Sequence, residues 1–229
     1  MAMADAGPDR AWDEVIRALD PAKVAASLRR ELGRGYLRIG ERFVAIAVKA
    51  IQAGEYAPNS EITAALKGST KALVNDGDLM AAITYDVDLA DMAVWLGANK
   101  AAKRKSKGGR EVEMINLVRV LHDGGSVDVS KYPQVRQAVF ARLRDIATGK
   151  APGGDRAKAR EILDRMAVQS RSKGGSGGGG MGIWIIPSRP FIEAPIGKPE
   201  FEAVVDHEVG AAVDRALRSA VRAHLGGMR

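Results

Sequence analysis

MGIWIIPSRPFIEAPIGKPEFEAVVDHEVGAAVDRALRSAVRAHL, residues 181–225, carries the two signals that decide the fold. Its opening run, MGIWII, reads as a strand and is stopped by Pro187. From Glu200 to Leu225 the pattern changes to helical spacing. Phe201, Val205, Val209, Ala212, Val213, Ala216, Leu217, Ala220, Val221 and Leu225 form one continuous apolar stripe. Pro199 suits the first turn of that helix. Glu200, Glu202, Asp206 and Glu208 lie early and Arg215, Arg218 and Arg222 late, an order that complements the helix dipole.

Upstream of the strand, Lys131–Ile146 and Asp155–Val168 read as two helices, a helical insertion over 131–170. The glycine-rich stretch 171–182 that follows is expected to be flexible, because it has nothing to bury. Ile83–Val87 and Met92–Leu96 read as strands; 111–121 (EVEMINLVRVL) could be strand or helix, with strand or extended chain entering a turn at Asp123-Gly124-Gly125 favoured. Short helices are expected at Glu61–Leu66 and up to Ala82, the latter capped by Asn75 or Asp76. Tyr36–Ala53 is helical and apolar over a wide arc, so it should be buried on more than one flank, a second subunit being one candidate cover. Between Trp12 and Arg30 a short helix is followed by a second one starting at Pro21. The sum is an α+β fold in a single domain over 1–229. A small, mostly antiparallel sheet packs against long N-terminal and C-terminal helices, and the helical insertion precedes the last strand.

The chain has 229 residues, enough for one sizeable domain. Apolar residues make up 46% but aromatics only 5%, so the core must be built from Ala, Val, Leu and Ile. There is no cysteine, which excludes disulfides, thiolate catalysis and cysteine-ligated metal. The start lacks the basic and apolar regions of a secretion signal, and no apolar run is long enough to span a membrane. The formal charge of +7 leaves room for a nucleic-acid partner without requiring one.

Few residues are arranged for chemistry. His122, His207 and His224 show no paired-ligand spacing, so no metal and no cofactor is expected. His122 beside Asp123 reads as a structural hydrogen bond rather than an acid–base pair. Asp86, Asp88 and Asp91 lack the spacing of a calcium loop and read as a solvated turn. Nucleotide-binding and nucleophile-elbow glycine motifs are missing. The sharpest charge feature is KAAKRKSKGGR, a basic loop over 100–110 holding Lys100, Lys103, Arg104, Lys105, Lys107 and Arg110. It could touch a phosphate backbone, dock on an acidic protein surface, or simply be solvated. Interleaved aromatics, which a single-strand binding platform needs, are lacking.

Four segments, in order, resemble a phage family. Leu73–Ile83 (LVNDGDLMAAI) is similar to its "L-x-D-T-G-x-L-x-x-S-I" segment, with Asp76 and Ala82 standing where Thr and Ser are usual and with Gly77 and Leu79 in place. Leu117–Gly125 (LVRVLHDGG) is similar to "Y-A-x-x-H-x-x-G" through His122, Gly124 and Gly125. Val129-Ser130-Lys131 with Arg136 resembles the helix that follows. Ile186–Ile192 (IPSRPFI) closely resembles "I-P-x-R-P-F-L" through Pro187, Arg189, Pro190 and Phe191. The set resembles the phage virion morphogenesis and tail-completion family, of the phage Mu G protein type, and the related head–tail neck proteins. It spans about residues 40–225.

The resemblance implies a structural protein of the virion at the head–tail junction, present in the host cytoplasm during assembly, without catalysis. It implies a homo-oligomeric ring, a hexamer where the tail tube imposes its symmetry. The implied partners are the head–tail connector or adaptor and the tail terminator or tail tube, with non-specific contact to channel DNA through the basic loop and no membrane. In the motif segments, Pro187 and Pro190 would fix the turn, and Arg189 would satisfy carbonyls or a partner carboxylate. Phe191 would anchor the turn, and Gly124 and Gly125 would permit a tight bend. The alternatives are a basic nucleic-acid-associated protein and a transient assembly factor absent from the mature particle.

Overall fold

The computed structural model describes residues 21–73, 77–105, 111–172 and 183–226. It is α+β, with long helices at its two ends, small antiparallel ladders between them, and a helix before the last strand. The first helix, α1 (Pro21–Ala53), is followed by α2 (Glu61–Lys67), α3 (Asp78–Ala82), β1 (Ile83–Asp88), β2 (Ala93–Ala98), β3 (Lys103–Lys105) and β4 (Glu111–Glu113). Then come α4 (Met114–Asp123), β5 (Gly125–Asp128), α5 (Pro133–Thr148), α6 (Arg156–Ser172), β6 (Ile183–Ile186), α7 (Glu193–Ile196) and α8 (Pro199–Gly226). The strands form three two-stranded ladders, β1–β2, β3–β4 and β5–β6. In the last of these, Gly125 faces Ile186 and Asp128 faces Ile183.

The chain divides into two compact units. The first takes the residues up to Ile46, Thr84–Gly97 and the chain from Pro195; the second takes Ala47–Ile83 and Ala98–Ala194. Helix α1 contributes to both in turn. That explains its wide apolar arc: Ile39, Phe43 and Ile46 are buried before the boundary, and Ala47, Ala50 and Ile51 after it.

In the first unit α1 and α8 run antiparallel. Phe43 meets Phe201 edge to face at 6.2 Å, Arg38 Nε donates to Glu208 at 2.7 Å, and Arg215 Nε donates to Glu31 at 3.1 Å. The sequence suggested separate helices at 21–30 and 36–53, yet α1 is continuous through Gly33 and Gly35. Glycine inside a helix costs about 1 kcal/mol relative to alanine. Close packing offsets that cost. A methyl at Gly35 would lie 3.3 Å from the Glu208 carbonyl oxygen, one at Gly33 would press on Leu89, and one at Gly40 would enter the Tyr85 ring.

The β1–β2 hairpin turns on Asp88, whose Oδ1 accepts from the amides of Ala90 (2.8 Å) and Asp91 (3.1 Å). This is a turn-capping role of the kind short polar side chains favour. On α8 the sequence's single stripe splits. Phe201, Ala212, Ala216 and Ala220 are buried, while Val213, Leu217 and Val221, one position further round, are exposed.

In the second unit α5 and α6 form a helical hairpin against α2, with Ala65, Leu143, Ile146, Ala147, Ala159 and Ile162 at its core. This is the expected helical insertion. Two expectations need correction. Residues 114–123 are helix, not strand; only Glu111–Glu113 is extended. Met114 and Val118 are buried one turn apart, and this helical period outweighs the β-branched residues that suggested a strand. The cap of α3 is Gly77, at φ 83°, not Asn75 or Asp76, and both of those lie outside the described residues. So do the expected helix before Pro21 and residues 173–182 of the glycine-rich stretch, whose first two residues close α6.

Candidate functional site

Three of the segments singled out in the sequence meet in the second unit. The Pro187–Phe191 turn leaves β6 and folds onto the end of α4. Arg189 N donates to the His122 carbonyl at 3.0 Å, and Ser188 Oγ donates to the same oxygen at 2.8 Å. Gly124 makes this contact possible. Its φ of 72° suits glycine, and a methyl there would lie 2.5 Å from the Ser188 nitrogen and 2.7 Å from the Ile186 oxygen. Gly125 then opens β5 opposite Ile186. The Pro190 carbonyl accepts from Ala194 N at 2.8 Å and so starts α7.

Phe191 is fully buried. Tyr56 and His122 stand edge-on to its ring, at centroid distances of 6.4 and 5.7 Å. His122 Nδ1 lies 3.0 Å from Asp123 Oδ1, the expected local hydrogen bond. His122 Nε2 and the Tyr56 hydroxyl are buried and have no hydrogen-bond partner among the described residues. Burial, helped by the charge of Glu55, pushes the Tyr56 hydroxyl up to about 12.

Arg189 is the central residue of this region. Only 3% of it is exposed, and its guanidinium reaches back more than 130 residues in sequence. Nε donates to the Ala57 carbonyl at 2.8 Å, Nη2 to Pro58 at 3.0 Å and Nη1 to Pro187 at 3.3 Å. Among the described residues no carboxylate pairs with it. Burial alone accordingly lowers its affinity for a proton. Its guanidinium is thus held by main-chain carbonyls.

Beside the turn lies a cavity of about 330 Å³. Arg189, Pro187, Ile185 and Ile186 line it, together with Leu117 and Leu121 of α4, Gly77, Asp78 and Leu79 at the start of α3, Lys67, and Arg104 of β3. Gly77, Leu79, Pro187 and Arg189 of the sequence-derived set therefore share one wall system, while His122, Gly124, Gly125, Pro190 and Phe191 hold the turn behind it. Asp76 lies outside the described residues.

Of the basic run over 100–110, residues 100–105 are described and 106–110 are not. Lys103–Lys105 form β3, laddered antiparallel to Glu111–Glu113, so that Lys103 faces Glu113 and Lys105 faces Glu111. Lys103 Nζ reaches Glu111 at 3.3 Å, and Arg104 Nε reaches Asp78 at 3.2 Å. Alternating cross-strand charges hold the ribbon together and draw cations toward carboxylates of the same chain. Lys100 sits exposed in the turn before β3; Lys107 and Arg110 lie outside the described residues.

The sequence held no sign of Tyr56 or of the Ala57 and Pro58 carbonyls that clasp Arg189. Main-chain oxygens leave no residue signature. Among the described residues no group of three or more His, Asp or Glu side chains could hold a metal, and no helix is long and apolar enough to cross a membrane. No protein-family model matches the chain, and no curated protein or solved structure is significantly similar to it.

Proposed function

We propose that the chain is a structural assembly protein of a tailed phage, seated at the head–tail junction as a neck or tail-completion component and acting as a homo-oligomeric ring. The observation that carries this reading is the convergence of the resembling segments. Gly77–Leu79, His122–Gly125 and Pro187–Phe191, far apart in the chain, supply one turn and one cavity wall. Their side chains are spent on backbone carbonyls, tight turns and ring packing, which is the use a scaffold makes of such residues. Exposed large apolar residues, among them Trp95 and Ile185, suit contacts with neighbouring subunits. The ring's neighbours on this reading are the connector or adaptor on the head side and the tail terminator or tail tube on the other.

A symmetry-resolved cryo-EM map of the head–tail junction tests it. Density for this chain as a closed ring is the expected result. A mature particle without such density would refute a resident neck role and leave the transient assembly factor to be tested next.

A further inference from the structure

Two observations in the second unit point to a ligand that the assembly reading does not specify. The first is electrostatic. Arg189 is buried, yet its partners are three neutral carbonyls, so its full charge lacks a counter-ion among the described residues. A guanidinium has five N–H groups, and these contacts engage three. A buried charge without an opposite charge is costly, and an incoming anion that pairs with it gains accordingly. The second is topological. Strand β6 pairs with β5 on one side only among the described residues, and Ile185, at the cavity rim, is 71% exposed. An unpaired strand edge beside a cavity is a template for an added strand.

We propose that this cavity receives the carboxylate of an acidic residue carried on an extended, apolar segment of a partner protein, with Arg189 as the anchor and the open edge of β6 as the rail. Asp78 serves Arg104, and Arg189 itself carries a single charge. A carboxylate fits that better than a doubly charged phosphate. The walls of Leu117, Leu121 and Ile186 accept apolar neighbours of that carboxylate and disfavour a hydrated phosphodiester. The inference stands apart from the phage reading, since it follows from the cavity's chemistry whatever assembly the partner belongs to.

The test is a titration of the full-length, ¹⁵N-labelled chain with two capped pentapeptides, Ile-Val-Glu-Val-Ile and Ile-Val-Gln-Val-Ile, and with inorganic phosphate. The expected result is shifts at the Ile185, Ile186 and Ser188 amides and at the Arg189 side-chain N–H, with the Glu peptide binding at least tenfold more tightly than the Gln peptide. Arg189→Gln should erase that preference. Because it also removes the clasp that holds the turn, Ile185→Glu serves as a second variant at an exposed position. It should weaken the Glu peptide about tenfold while leaving the Gln peptide nearly unchanged. Equal binding of the two peptides, shifts confined to other surfaces, no shifts at millimolar peptide, or phosphate binding at Arg189 as tightly as the Glu peptide would each overturn the proposal.

Discussion

Glu31 and Arg189 are both almost fully buried, and they are compensated in opposite ways. Glu31, 5% exposed on α1, sits among three arginines: Arg34 at 2.9 Å, Arg215 at 3.1 Å and Arg30 at 3.5 Å. Burial on its own would raise its pKa, but the hydrogen bond from Arg215, the charge of Arg34 and the contact with Arg30 outweigh it and hold the carboxyl below its ordinary value. Arg189, equally deep, meets only carbonyl dipoles. The first arrangement is electrically closed and ties α1 to α8. The second is geometrically closed and electrically open. The same burial thus makes one charge a fastener and the other a place where a further anion gains.

The largest effect is expected where the open charge is removed. Arg189→Met deletes the donor to the carbonyls of Ala57, Pro58 and Pro187, and a hydrogen bond from a charged group contributes about 1.5–3 kcal/mol. Urea unfolding should show a loss of about 3 kcal/mol or more, with Arg189→Lys recovering only part of it. A loss near zero would mean that water replaces the guanidinium and that the clasp is incidental. Gly124→Ala attacks the same turn without touching charge. Its methyl meets backbone atoms at a positive φ, so a loss of about 1–3 kcal/mol is expected. If the two substitutions are made together, their effects should fall short of additive, since both release the 187–191 turn from α4.

Glu31→Gln probes the closed charge and should be milder at neutral pH, because the amide still accepts a hydrogen bond from Arg215. Its signature is pH dependence. A carboxyl whose pKa is lower folded than unfolded contributes stability that is fully present above the unfolded value, near 4.5. That contribution is lost as pH falls through the lower folded value. The difference in stability between wild type and Glu31→Gln should therefore be flat from pH 7 to about 5.5 and shrink below about 4.5. A gap that stays constant into stronger acid would show that the three arginines act by packing rather than by charge.

What the sequence disclosed and what it hid follow the same division between local and distant physics. The strand after 182, the long C-terminal helix and the α5–α6 insertion were legible because their spacing is a property of one element. Gly124 was legible as part of a turn for a similar reason, whereas the anchoring of Phe191 was only what the resemblance implied. Helix α1 was read as separate segments; its continuity through Gly33 and Gly35 rests on the close approach of Leu89 and Glu208, which no local pattern reveals. The α4 segment was misread because Val, Ile and Met in ten residues favour neither period strongly; the burial of Met114 and Val118 decides it. The partners of Arg189 were invisible, since a carbonyl at position 57 or 58 is offered by any sequence. So was the pairing of Glu31 with Arg215, which depends on two helices 184 residues apart meeting in one register.

The smallest expected effect on stability belongs to the outer face of α8. Val213, Leu217 and Val221 lie one position round from the buried Ala212, Ala216 and Ala220, so a charge placed there meets solvent rather than core. Leu217, 44% exposed, is the middle of the three. Leu217→Glu should change the unfolding free energy by no more than about 0.5 kcal/mol. If the chain assembles with copies of itself through this face, the same substitution should lower the mass seen by sedimentation or mass photometry while leaving the circular dichroism unchanged. An unaltered mass would remove α8 from the assembly surface and shift attention to the exposed Ile185 edge. A large loss of stability would instead mean that the face is covered within the chain, and the division of α8 into a buried alanine row and an open valine–leucine row would have to be withdrawn.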